Sequence, residues 1–211
     1  MSISHHDVLI DAFRSISGES ANALGWVCLD TKFERFMTAA ISTAINRRAG
    51  KRLAHVEFSS GKKQALDGCK EARLDLVILE ERIPSRQGRS LDASAARIRM
   101  RYEAKAGQLF DFAPTANTDE KYLGAALDDD MRGLRFGAGA GLFFISEIAN
   151  PTRFLKRYAV GHVAQLDHAL SVLSGKITRG QLVTREVMDC GEIDETKVKI
   201  HMCVFDPHQR P

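Results

Sequence analysis

The chain has 211 residues, of which 44% are hydrophobic, enough to bury one substantial core, and it reads as a single domain over 1–211. Its 30 basic and 27 acidic side chains leave a formal charge of +3, too small a total to demand a polyanionic partner by itself. Residues 1–18 are polar and no stretch is long and apolar enough for a bilayer, so neither a secretory leader nor a membrane span is expected, and a cytoplasmic protein is.

The apolar residues Phe33, Phe36, Met37, Ala40, Ile41, Ala44 and Ile45 recur at three- and four-residue steps, which predicts an amphipathic helix over 31–48. Gly50 after the basic Arg47 and Arg48 is its stop signal. A short strand is expected over 53–58, a turn at Gly61, and a second, nearly all-apolar strand over 74–79. Pro84, Gly88 and several serines make 83–96 a long connection or flap. Strict alternation then marks a strand over 98–106, with Tyr102 and Ala104 turned one way and Arg99, Arg101, Glu103 and Lys105 the other. A helix over 119–134, a buried central strand over 141–148, and helices over 154–158 and 162–173 follow. The last elements read as a β-hairpin, 184–190 and 197–205, across turn residues 191–195. The fold class is a mixed α/β domain.

Glu103 and Lys105 share one strand face, roughly 7 Å apart along the backbone. Asp75 stands inside the run LDLVIL, where a carboxylate is costly unless a cation or a hydrogen-bond donor satisfies it. If the two strands are neighbours, Asp75 and Glu103 converge on one divalent ion, and Mg2+ or Mn2+ suits such hard oxygen ligands. Glu34 falls between Ile41 and Ile45 on the apolar arc of the first predicted helix, which suits an accessory acid at the site or, alternatively, a Glu at the edge of the buried face paired with an arginine. Basic residues cluster at Arg47, Arg48, Lys51 and Arg52, at Lys62 and Lys63, and from Arg82 through Arg86, Arg89, Arg97, Arg99 and Arg101; they are either phosphate contacts or ordinary solvated charge.

The order of a helix with Glu34, a strand with Asp75, a strand with Glu103-Ala104-Lys105, a helix and the strand GLFFISEI resembles the PD-(D/E)XK, restriction-endonuclease-like nuclease superfamily over 31–148. The resemblance implies a mixed β-sheet flanked by helices, with the C-terminal helices and hairpin as additions. It also implies a metal-dependent phosphodiesterase acting on nucleic acid, DNA before RNA, with Asp75 and Glu103 as ligands of Mg2+ or Mn2+, Lys105 as base or stabiliser and Glu34 as accessory acid. Arg86, Arg89, Arg99, Arg101, Lys62 and Lys63 are the expected nucleic-acid contacts, and a homodimer is compatible with cutting two strands; Gln108, shortly after the lysine, reads as a solvated side chain, with a contact to the site as the alternative. A catalytically silent binding module of the same fold and an unrelated α/β protein with an accidental Glu103–Lys105 pair are the competing readings.

Other features carry less. The glycine-rich stretch 136–141 precedes a strand, whereas a phosphate loop follows one, so it reads as a lead-in to that strand. His162 and His168 do not share a helix face, and Asp128, Asp129 and Asp130 read as solvated charge. Cys28, Cys69, Cys190 and Cys203 form no CxxC pair, which argues against the usual structural zinc spacing and for reduced thiols.

Overall fold

The computed structural model describes residues 6–30, 33–59, 73–81, 98–108, 140–148 and 181–206. Three helices, α1 (Asp7–Arg14), α2 (Glu19–Asp30) and α3 (Glu34–Ala49), precede six strands: β1 (Ala54–Ser59), β2 (Arg73–Leu79), β3 (Ile98–Gln108), β4 (Ala140–Ile148), β5 (Gln181–Ile193) and β6 (Thr196–Asp206). The strands form one mixed sheet in the order β1-β2-β3-β4-β6-β5. Every pairing is antiparallel except β3 with β4, which run parallel from Tyr102↔Ala140 to Gln108↔Ser146. A parallel neighbour requires a crossover connection, which the chain makes through 109–139.

One face of the sheet buries Leu76, Ile78, Tyr102, Ala104, Leu142, Phe144, Ile200, Met202 and Val204 with Leu9 and Phe13 of α1, Leu24 of α2 and Met37 and Ile41 of α3. The second face is buried too, at Val77, Leu79, Phe143, Ile145, Cys203 and Phe205. Burial on both faces explains why β4 opens with the apolar run from Ala140 to Ile145 without alternation. The strands expected over 53–58, 74–79, 98–106 and 141–148 are β1 to β4, each within two residues of its expected bounds.

The helix expected over 31–48 is α3, and Gly50, at φ 61°, closes it with its N–H on the Arg47 carbonyl. Asn46 then steers the chain into β1. Its Oδ1 accepts from the N–H groups of Leu53 and Ala54 at 2.7 and 2.8 Å, while its Nδ2 donates to the Ala54 carbonyl at 2.9 Å, so a side chain on α3 imitates a neighbouring strand.

The C-terminal hairpin is present and belongs to the central sheet, with β6 lying between β4 and β5. Its turn is tighter than the expected 191–195: Ile193 pairs with Thr196 across Asp194 and Glu195, both at positive φ (49° and 63°), the twist a two-residue hairpin needs. A bulge in β5 falls between Asp189 and Gly191; Gly191, at φ 82°, donates its N–H to Asp189 Oδ1.

Residues 1–18, read as a polar start, contribute α1 from Asp7 to the core through Leu9, Ala12 and Phe13, and α2 follows it. Before α1, buried His6 joins two distant strands: Tyr102 Oη lies 3.1 Å from its Nδ1 and Asp206 Oδ2 3.2 Å from its Nε2. The helices expected over 119–134, 154–158 and 162–173 and the flap 83–96 lie outside the described residues, as does the glycine-rich stretch 136–141 up to residue 139, while Ala140 and Gly141 open β4. Among the described residues no helix is long and apolar enough to cross a membrane.

Candidate active site

β2 and β3 pair from Leu79↔Ile98 to Leu76↔Tyr102, and there the ladder stops. Beyond that point β2 continues against β1, as far as Ser59↔Arg73, and β3 continues against β4 to Gln108. The sheet forks at this level. Asp75 is the first residue of β2 past the last β2–β3 pair, and its Oδ2 accepts the backbone N–H of Ala104 at 2.9 Å. A side chain thus supplies the acceptor at the point where the ladder stops. This N–H is also the donor that a carboxylate in so apolar a strand requires.

Glu103 and Lys105 flank Ala104 on β3. Because Tyr102 and Ala104 point into the helix-covered core, alternation turns Glu103 and Lys105 to the other side, and both are half-buried. The long Lys105 side chain still reaches α3: its Nζ is 3.9 Å from Oε2 of Glu34, an ion pair too long for a direct hydrogen bond. Glu34 is the first residue of α3 and shares the side of the helix that buries Met37, Thr38, Ile41 and Ile45, as its place on the apolar arc predicts. Lys105 is one of its partners. Four residues from three separate elements, Glu34, Asp75, Glu103 and Lys105, therefore gather at the fork.

Arg99 and Arg101 continue the Glu103–Lys105 face along β3, Arg99 exposed and Arg101 half-buried. Lys62, Lys63, Arg86 and Arg89 lie outside the described residues, as do His162, His168 and Asp128 to Asp130. Gln108 closes β3.

Glu57 and Arg35 join the same neighbourhood and were not singled out by the sequence. Glu57 stands on β1 opposite Asp75, between the pairs Val56↔Leu76 and Phe58↔Leu74. Its φ of 49° breaks the extended course of β1. A left-handed backbone costs a non-glycine residue about 1–2 kcal/mol, and its carboxylate is held by Arg35 Nε at 3.2 Å. Sequence periodicity carries no signal for a strained residue inside a strand. Only the register shows that Glu57, Asp75 and Glu103 stand at one level of three successive strands.

Among the described residues no three His, Cys, Asp or Glu side chains form a ready-made cation cage. The donor set at the fork fits a different arrangement, in which magnesium is held by one or two carboxylates while water and substrate phosphate complete its shell. Asp75, with Oδ2 fixed by Ala104 and Oδ1 left for a cation, and Glu103 are the pair suited to it. Among the described residues, burial pushes the thiols of Cys28, Cys190 and Cys203 up to about 12, away from the thiolate form that nucleophilic or metal chemistry needs; Cys69 lies outside the described residues.

Comparison of the chain with models of known families, with characterised proteins and with solved structures returned no match.

Proposed function

We propose that the chain is a divalent-metal-dependent nuclease of the restriction-endonuclease-like, PD-(D/E)XK type, hydrolysing phosphodiester bonds in nucleic acid, DNA before RNA. The observation that carries the reading is the fork, where Asp75 is fixed on the Ala104 N–H between Glu103 and Lys105 while Lys105 faces Glu34 from α3. The reading assigns Asp75 and Glu103 to Mg2+ or Mn2+, which when bound supplies Lewis-acid polarisation of the phosphate and acidifies water. Lys105, an ammonium facing a carboxylate, is a donor and a positive charge in this scheme: it orients the attacking water and offsets charge as the bond to the leaving sugar oxygen breaks. Glu34 holds that ammonium in place. Arg99 and Arg101 extend the positive face toward the phosphate backbone.

The test is incubation of wild type and Lys105→Ala with single- and double-stranded DNA and RNA plus manganese, with cleavage and binding measured in parallel. Wild-type cleavage that falls about a hundredfold to a thousandfold in the variant, with binding retained, is the expected result. Activity that survives in Lys105→Ala removes the lysine from the mechanism. Binding without cleavage by wild type replaces the nuclease by a silent binding module.

A further inference from the structure

We propose that Arg35, braced by Glu57, is a substrate-phosphate contact at the rim of the fork; the inference rests on reading that fork as the active site of a nucleic-acid hydrolase. Arg35 follows Glu34 in the first turn of α3, so one helical step of about 100° separates an inward carboxylate from an outward guanidinium. Its side chain is 80% exposed, yet its Nε is held 3.2 Å from Glu57 Oε1. An exposed ion pair contributes little to folding. Glu57 adopts the left-handed backbone that glycine or asparagine would take without strain. The pair therefore stands on a strained residue, and strain of this kind gathers where geometry is used for binding.

The position of the brace gives it a use. Glu57 is aligned with Asp75 across β1 and β2, at the level where the β2–β3 ladder ends. Glu34, Glu57, Asp75 and Glu103 bring carboxylates to a site that must receive a polyanion, and Lys105 and Arg35 bring cations to it. A divalent ion would offset carboxylate charge there, and Arg35 adds an exposed cation held on Glu57. With Nε held on Glu57, the planar guanidinium presents its two terminal nitrogens as a fork, the geometry that matches two phosphate oxygens. Lysine would supply the charge without that geometry.

The experiment uses the full chain with fluorescein-labelled DNA and RNA oligonucleotides. Binding is followed by anisotropy in calcium over a range of salt, and cleavage in manganese. Arg35→Ala should raise Kd and KM about tenfold, the scale of one lost charge-assisted contact, change kcat less than threefold, and reduce the salt slope by about one. Arg35→Lys should recover the salt slope and only part of the affinity. Glu57→Gly relieves the left-handed strain, so it should unfold at higher urea and still bind more weakly than wild type. The double variant should then bind no worse than Arg35→Ala. A merely structural pair gives a different result: Glu57→Gly more stable with unchanged binding, or Arg35→Ala with unchanged KM and salt slope, and either overturns the inference while leaving the hydrolase reading intact. Wild type that neither binds nor cleaves any of the oligonucleotides overturns both.

Discussion

Asp75 has two tasks that substitution separates. As an acceptor it satisfies the Ala104 N–H, and as a charge it is the proposed ligand of a hard cation. Asp75→Asn keeps an oxygen for that N–H and loses the charge, so manganese affinity measured by calorimetry should fall at least tenfold while the urea midpoint stays close to wild type. Asp75→Ala leaves the N–H without its partner and should cost about 1–3 kcal/mol of stability as well. Unchanged manganese affinity in Asp75→Asn would remove Asp75 from the site. Glu34 is one step further from the chemistry because its contact is with Lys105, so Glu34→Gln should lower cleavage less than Asp75→Asn does; an equal loss would make it a metal ligand. The placements of Asp75 and Glu34 were legible in the sequence, because a carboxylate in an apolar strand and one on a buried helix face both violate the local pattern, and the alternation of β3 placed Glu103 and Lys105 on one face. Glu57 violates no pattern, since its distinction lies in backbone torsion and cross-strand register.

Elements were legible where one period dominates. The two-residue alternation of β3 and the apolar run of β4 identify strands without reference to neighbours, and the three-and-four spacing of α3 identifies a helix. The spacing of Leu9, Ala12, Phe13 and Ile16 carried the signal for α1, masked by the histidines and acids around it. In α2 the buried Ala21, Leu24 and Cys28 are interleaved with an exposed Trp26, which blurs the apolar stripe. What fixes α2 is close packing at Gly25, where an added Cβ would run into the side chains of Ile193 and Cys190. Gly25→Ala should therefore destabilise the protein by about 1–3 kcal/mol in urea unfolding, although alanine favours a helix. A neutral or stabilising result would show that α2 can move off β5. The hairpin turn gives the opposite sign: Glu195 has φ 63°, so Glu195→Gly should stabilise by about 1 kcal/mol.

At the scale of the whole molecule, acid stability should be governed partly by two imidazoles on the second face of the sheet. Burial pushes His55 and His201 below their ordinary value near 6.5, in His201 against the pull of Glu147, whose Oε2 lies 2.7 Å from Nε2. Below that value the unfolded chain binds protons that the folded chain resists, so stability is full above about pH 6.5 and falls as the pH drops toward the folded values. Urea midpoints measured from pH 8 to pH 5 should decline, and His201→Gln should flatten the decline; an unchanged slope would assign it to other groups. The buried junction of His6 with Tyr102 and Asp206 has a different consequence. It spans 200 residues of sequence between His6 and Asp206, so α1 and the end of β6 are fastened to each other and to β3. Neither end can fray alone without breaking a buried polar contact on the other. Backbone amides of α1 and of Val204 to Asp206 should then exchange with solvent only through complete unfolding, at one common free energy, while in His6→Ala the α1 amides should exchange faster and those of β4 keep the global rate.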